Sequence, residues 1–336
     1  MCGAQAGASG VKGSPKWRAG RTDYNESTVD AFTSMTSGEA MTTQPLTKDQ
    51  AVAAAIREIS HIATLPEITL KIIELVESPN STAQDLHKVI ANDPALCSRI
   101  LKVVNSAFYG LPGQIGSINR AIVLLGLNAV KNIAIAASLA KLFRGGSLTP
   151  EFSAKDLWTH SVAVASASKM IADHIKLGLS DEAFLAGLIH DIGMIVEIQY
   201  DRQKFIDVLG RVMPEGGKGA PTCSMLEVEE QIFGANHQDF GHGLCEKWKF
   251  PRSFAMVTGF HHRPQELPHE ARTLVSIVAA ADRLAGNLDG SFRLDVMETT
   301  VPPEILADLK MSAEAMDQIA AKLPEQIEAV SAMLAT

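Results

Sequence analysis

Five histidines and two aspartates are the side chains in this sequence whose types and spacing could do chemistry together. His160 lies in the run Leu-Trp-Thr-His-Ser-Val-Ala-Val, His190 and Asp191 in Gly-Leu-Ile-His-Asp-Ile-Gly, and Asp282 in Ala-Ala-Ala-Asp-Arg-Leu-Ala. Each run is otherwise small and apolar and reads as helix, so folding carries these polar groups into the interior. His237 follows a helix cap at Asn236, and His261-His262 end another helix. A buried carboxylate without a partner is very costly, so Asp191 and Asp282 each require a strong one. Imidazole nitrogen with carboxylate oxygen suits first-row divalent metals such as Fe, Mn or Zn, and Mg more loosely. Taken singly, each residue has a plainer reading. A lone histidine in an apolar helix is commonly a satisfied core residue, and Asp282 followed by Arg283 reads as an ion pair. His174, His242 and His269 are assigned to surface or packing, and Trp158 and Trp248 to the core. As an ordered set, the seven residues point instead to a metal centre.

The elements that must position them are helices. No run of useful length alternates apolar and polar residues as a half-buried strand would, so the chain is expected to be all-α. Helices begin near Thr47 and at Pro66, where a missing N–H is no loss. Ser81 with Gln84 reads as a capping box, and Asp93-Pro94 as the start of a further helix. Two more are expected over 119–125 and 128–143, with a boundary from Gly145-Gly146 to Pro150. Ser153 and Asp156 cap a long helix running to Leu177, and Ser180 opens the next, which carries His190-Asp191 within it. A loop is expected over 214–221. Helices resume near Met225, Asn236, Pro251 and His269, followed by a pair over 303–309 and 312–334.

Bulk properties restrict the setting. The chain is 46% hydrophobic and 20% charged, which is a globular rather than a disordered composition. A net charge of -8 disfavours broad contact with nucleic acid or anionic membranes. Cys2, Cys97, Cys223 and Cys245 show no C-x-x-C spacing. Cys97 and Cys245 lie in apolar stretches, which suits buried free thiols in a reducing cytosol. The apolar window 133–139 is far short of the ~20 residues that a bilayer needs. The first residues lack a secretory apolar region, so the expectation is cytoplasmic. Residues 1–45, rich in Gly, Ser and Thr, are expected to be a flexible tail, with Met35 or Met41 as candidate true starts.

The order His160…His190-Asp191…Asp282, with Ile-Gly after the His-Asp pair, is similar to that of the HD superfamily of metal-dependent phosphohydrolases. His237 and His261-His262 resemble the longer ligand set of its HD-GYP branch. Over roughly residues 58–285 the chain more closely resembles the HDOD family, the "HD-related output domain". The resemblance is carried by Asp-Pro-Ala-Leu at 93–96, Val-Asn-Ser-Ala-Phe-Tyr-Gly at 104–110 and Ala-Ile-Val-Leu-Leu-Gly-Leu at 121–127. Ala-Phe-Leu-Ala-Gly-Leu-Ile-His-Asp-Ile-Gly at 183–193 and His237…Trp248…Pro251 complete it.

That resemblance implies an N-terminal helical lobe (46–146) packed on an HD-like metal-binding lobe (150–290), followed by C-terminal helices (291–336). It implies a bacterial signalling output that engages a protein partner, here without a fused receiver domain. A nucleotide-like ligand is a further partner it suggests. Carried over by position, His160, His190, Asp191 and Asp282 would hold one divalent ion. Asp191 would bridge to a second ion held by His237, His261 and His262. Asp156, one turn before His160, could add a carboxylate, although capping is its preferred role. Two departures bear on catalysis. HD-GYP proteins place a lysine after His-Asp-Ile-Gly where this chain has Met194, and Arg263-Pro264-Gln265 stand where Gly-Tyr-Pro would follow His261-His262. The reading is a signalling module with a metal site and little or no catalysis. The alternative is a metal-dependent phosphohydrolase acting on a nucleotide or cyclic dinucleotide.

Overall fold

A computed structural model describes residues 46–59, 66–78, 80–106, 109–143, 146–215, 217, 219–288 and 291–334, so the expected tail over 1–45 lies outside the described residues. The protein is all-α: among the described residues the sole β feature is an isolated bridge between Ser147 and Ser153. Residues 45–336 form a single unit around one continuous apolar core.

Among the described residues, six helices precede residue 140: α1 (Lys48–Glu58), α2 (Glu67–Glu77), α3 (Ala83–Ala91), α4 (Pro94–Val104), α5 (Ile118–Leu125) and α6 (Leu127–Leu139). Their starts follow local chemistry. Thr47 and Gln50 form a reciprocal capping box on α1, and the Asp93 carboxylate accepts from the Leu96 N–H at 2.9 Å ahead of Pro94. The box on α3 is one residue later than expected. Thr82 pairs with Asp85, because the Ser81 hydroxyl instead accepts from the buried Lys131 ammonium at 2.9 Å. Lys131 also donates to the Leu75 carbonyl at 2.9 Å, tying α6 to the end of α2. The lysine is thus held in the interior by oxygen acceptors rather than by a counter-charge.

Ten helices follow: α7 (Ala154–His174), α8 (Ser180–Ile189), α9 (Ile192–Tyr200), α10 (Arg202–Val212), α11 (Met225–Phe233), α12 (His237–Lys247), α13 (Arg252–Phe260), α14 (Thr273–Gly286), α15 (Pro303–Leu309) and α16 (Ala313–Leu334). Helix α7 is central and packs on α8, α14 and α16, while α12 packs on α9 and α13. Helix α7 stops at His174, short of Leu177, because Lys176 turns left-handed (φ 54°) and the Leu177 N–H bonds back to the Ala172 carbonyl.

The expected continuous helix through His190-Asp191 is two helices joined at that pair. The apolar stretch Ser180–Tyr200 is long enough to cross a bilayer, but 83% of its 18-residue apolar window is buried inside the protein. It is a core element broken at its polar pair. Residues 291–301 are not helical and form a strap, with a turn at Leu294-Asp295, that leads into α15. Of the thiols, Cys245 is buried, which pushes it up to about 12, whereas Cys97 is only partly buried; both are free.

Candidate metal centre

Helix α7 carries His160 inward, and the α8–α9 junction presents His190 and Asp191 to it. Helix α12 begins with His237, α13 runs into His261-His262, and α14 contributes Asp282. Six of these seven residues are at most 1% exposed, and the His262 side chain is 8% exposed. All seven sequence-derived candidates therefore meet in one buried cluster.

Three of the imidazoles, those of His190, His237 and His261, are oriented by what their other nitrogen binds. His190 Nδ1 donates to the Gly187 carbonyl at 2.8 Å, and His261 Nδ1 to the Val257 carbonyl at 3.1 Å. His237 Nδ1 is held by the Glu229 carboxylate at 2.8 Å, which also accepts the His237 backbone N–H at 3.0 Å. All three rings thus turn Nε2 toward the centre, the arrangement that metal-ligating histidines take. Asp191 faces both ways. Its Oδ2 lies 3.1 Å from His190 Nε2 and 3.7 Å from His160 Nε2, while Oδ1 lies 3.3 Å from His261 Nε2 and 3.8 Å from His237 Nε2.

Asp295 joins them from the strap, with Oδ2 3.4 Å from His262 Nε2. Two sets of ligand atoms lie within 4.8 Å of one another: Asp191, His237, His261, His262 and Asp295, and His160, His190, Asp191 and Asp295. Asp191 and Asp295 belong to both. Asp282 flanks these sets, 3.1 Å from His160 Nε2 and 3.9 Å from His190 Nε2. Asp156 is not among them: it accepts from the Ser153 N–H at 2.8 Å and the Ser153 hydroxyl at 2.6 Å as the cap of α7.

The donor set fits a divalent cation on an independent ground. His160 Nε2, His190 Nε2, His261 Nε2 and both oxygens of Asp191, Asp282 and Asp295 are buried and make no hydrogen bond of acceptable geometry. So many orphaned lone pairs at one point would be prohibitive without a positive charge among them.

Without the ion, protons would supply that charge. Burial alone pushes His190 down, but Asp191 beside it, with Asp282 and Asp295, holds it up at about 9. Burial likewise opposes charge on His237, and Glu229 then Asp191 hold it up at about 9. Burial and the neighbouring histidines push His262 well down, leaving it a neutral donor. Metal must therefore displace protons from His190 and His237, and affinity should rise with pH by up to about a hundredfold per unit below pH 9. The metal-free chain should behave oppositely. Its raised imidazoles, His160, His190 and His237, contribute stability that is fully present below about pH 6.5, and the share of His190 and His237 is lost as pH rises through about 9. Calorimetric titration with Mn(II) at about pH 6, 7 and 8, beside thermal midpoints in chelator, checks both signs. A flat affinity profile would contradict the arrangement.

Two glycines set the spacing. A Cβ on Gly193 would lie 1.8 Å from the His237 carbonyl oxygen, and one on Gly187 would lie 2.9 Å from the Ala165 Cα. The helices bearing Asp191 and His190 can approach α12 and α7 only because both positions lack side chains. Met194 is fully buried, so a lysine there would carry its ammonium into the apolar core.

Sequence reasoning missed Asp295, Glu229 and Glu197. Glu197 is fully buried and, through burial and Glu229, is held well above the usual carboxylate range. Glu229 sits in Leu-Glu-Val-Glu-Glu, which reads as a solvated helix face. The one available signal for Asp295 is its place between apolar Leu294 and Val296.

The model of the HDOD domain matches residues 62–264. An uncharacterised protein of Treponema pallidum (strain Nichols) is 24% identical over 80% of this chain, which spans about half the length of that curated relative. Among solved structures, an HDOD domain protein of unknown function from Geobacter sulfurreducens is 22% identical with a TM-score of 0.68, covering 86% of this chain and 99% of that one. A candidate phosphohydrolase from Shewanella amazonensis SB2B is 22% identical, with a TM-score of 0.64 and coverage of 85% and 98%. A candidate signal transduction protein from Marinobacter aquaeolei VT8 is 19% identical, with a TM-score of 0.65 and coverage of 86% and 66%. These structures share the fold.

Proposed function

The chain belongs to the HDOD family, and we propose that it is a cytoplasmic bacterial signalling module whose divalent-metal centre fixes the HD-like helices and turns over little or no substrate. The observation that carries this reading is the burial of the donor set: His160, His190, Asp191, His237, His261 and Asp282 are all at most 1% exposed. A phosphate ester needs both an open ligand position and a route to it. The cation that HD-GYP proteins place after His-Asp-Ile-Gly is also missing, and Met194 is buried in the core. Charge building on a phosphoryl group would go unneutralised at that place.

The module would act by contact. Its helices before residue 140 would engage a protein partner, and a nucleotide-like ligand is a second candidate. The net charge of -8 argues against broad nucleic-acid binding.

A phosphohydrolase is the second reading, favoured by the two-sided placement of Asp191 between the two donor sets. Two ions sharing a carboxylate would polarise a phosphoryl oxygen and acidify water. In that case Asp191 would hold the pair together, and Glu229 would keep His237 Nε2 directed at its ion.

The test is hydrolysis of cyclic di-GMP by wild-type protein loaded with Mn or Fe. Turnover at least about a thousandfold below the ordinary value of about 10 s⁻¹ is expected. Turnover near that ordinary value, abolished in His190→Ala, would replace the signalling reading with the hydrolytic one.

A further inference from the structure

Asp295 reaches the centre from outside the region that defines the family, since the matched segment ends at residue 264. It rides on the strap between α14 and α15, and the strap is firmly seated. Phe292, Leu294 and Val296 are all buried. The Phe292 ring stands edge-on to the His160 imidazole, with centroids 5.3 Å apart, and packs on Phe152 at 5.4 Å. The Val296 N–H bonds to the Arg293 carbonyl at 3.1 Å, closing a turn around Asp295. Beyond the strap, α15 is tied back: Asp308 accepts from the Ser276 hydroxyl of α14 at 3.0 Å and from the Gln265 amide at 2.9 Å. Gly286 at the end of α14 leaves room for this path, since a Cβ there would lie 3.3 Å from the Arg293 Cβ.

The Asp295 side chain is fully buried, and neither of its oxygens makes a hydrogen bond. Such a buried carboxylate, 3.4 Å from His262 Nε2 and without a hydrogen bond, is placed to satisfy a cation held among these imidazoles. It shares with Asp191 the property of belonging to both donor sets. Asp191, however, is fixed at a helix junction, whereas Asp295 arrives on a segment without helix or strand.

We infer that the strap formed by residues 291–301 inserts Asp295 as an internal oxyanion, which takes the ligand position that a phosphate oxygen or water would otherwise occupy and seals the centre. The inference rests on the metal-centre reading above. The chemistry is a matched substitution: a carboxylate offers the cations the same hard, negatively charged oxygen that phosphate offers. The ligand class that the strap excludes is therefore small oxyanions and phosphate esters. Displacing the strap would open the centre to them.

The test uses full-length protein loaded with Mn(II). Bound metal is counted, water-proton relaxivity is recorded, and inorganic phosphate is titrated. Wild-type protein should hold Mn(II) with low relaxivity, showing no rapidly exchanging water on the ion, and should bind phosphate weakly. Asp295→Ala should keep at least part of its metal, raise the relaxivity severalfold and bind phosphate at least about tenfold more tightly. Phe292→Ala, which leaves the carboxylate in place but unseats the strap, should move both readouts in the same direction. It decides the matter if Asp295→Ala does not fold. Metal-loaded wild type and folded variants with equal relaxivity and equal phosphate affinity would overturn the strap. Wild-type protein that binds no Mn(II) would instead overturn the metal-centre reading beneath it.

Discussion

Gly193→Ala is expected to cost on the order of 3 kcal/mol or more, because an added methyl group meets backbone rather than a movable side chain. The Cβ would lie 1.8 Å from the His237 carbonyl oxygen and 2.8 Å from the Gly241 nitrogen. No rotamer change relieves that overlap, so α9 must retreat from α12. With an unfolding entropy of about 2.1 cal/mol/K per residue over a folded unit of this size, the loss lowers the thermal midpoint by roughly 5 °C. The same retreat draws Asp191 away from His237, so metal content should fall with stability. Gly210→Ala is the matched control, since that exposed glycine inside α10 has nothing within 4 Å of an added Cβ. It should be neutral or stabilise by up to about 1 kcal/mol through helix propensity. A Gly193→Ala protein with the wild-type midpoint would show that α9 and α12 do not meet in this register.

Asp191→Ala should have the largest effect on metal. It removes both oxygens that face the two donor sets, so metal affinity should drop by at least about a hundredfold. Where wild type is saturated about a hundredfold above its dissociation constant, the lost binding is worth about 2.7 kcal/mol of stability. A second loss adds to it in the metal-free state. His190, held up at about 9 largely by Asp191, would lose its counter-charge and give up its proton. Chelator should therefore narrow the gap between the midpoints of wild type and variant without closing it. His174→Ala is the control: it lies on α7 with His160 but is exposed, and should keep both metal and midpoint.

How much of this was legible in the sequence depended on whether the deciding contact was local. Asp93-Pro94, Asn236 and Pro303 mark helix starts through their own side chains and next neighbours, and the structure has them there. His160, His190, Asp191 and Asp282 were legible because a polar residue in an apolar helix is carried into the core and must find compensation there, whereas His237, His261 and His262 were legible through the resemblance to the HD-GYP ligand set. The α3 cap was misplaced by one residue because the partner of Ser81 is Lys131, 50 positions away. The break at His190-Asp191 was hidden because the largely apolar run over 183–196 continues through it without a proline, and its glycines, Gly187 and Gly193, serve close helix packing rather than a turn. What ends α8 is the tertiary placement of the pair, together with the His190 bond back to Gly187.

Glu229 was unreadable for a related reason. An acid among acids on a short helix looks solvated, and only the fold reveals that its carboxylate lies 2.8 Å from His237 Nδ1. Asp295 lies further still from any motif. It enters the centre through the path of a strap, and strap paths are set by the packing of Phe292, Leu294 and Val296 rather than by helical periodicity.

Elemental analysis of full-length protein purified without a histidine tag tests the central claim most directly. Between about one and two divalent ions per chain are expected for wild type, as a pair of donor sets sharing Asp191 and Asp295 allows. Asp191→Ala should retain only a small fraction of that metal, and His174→Ala all of it. Folded wild-type protein that carries no stoichiometric metal, and takes up none when offered Fe, Mn or Zn, would contradict the account.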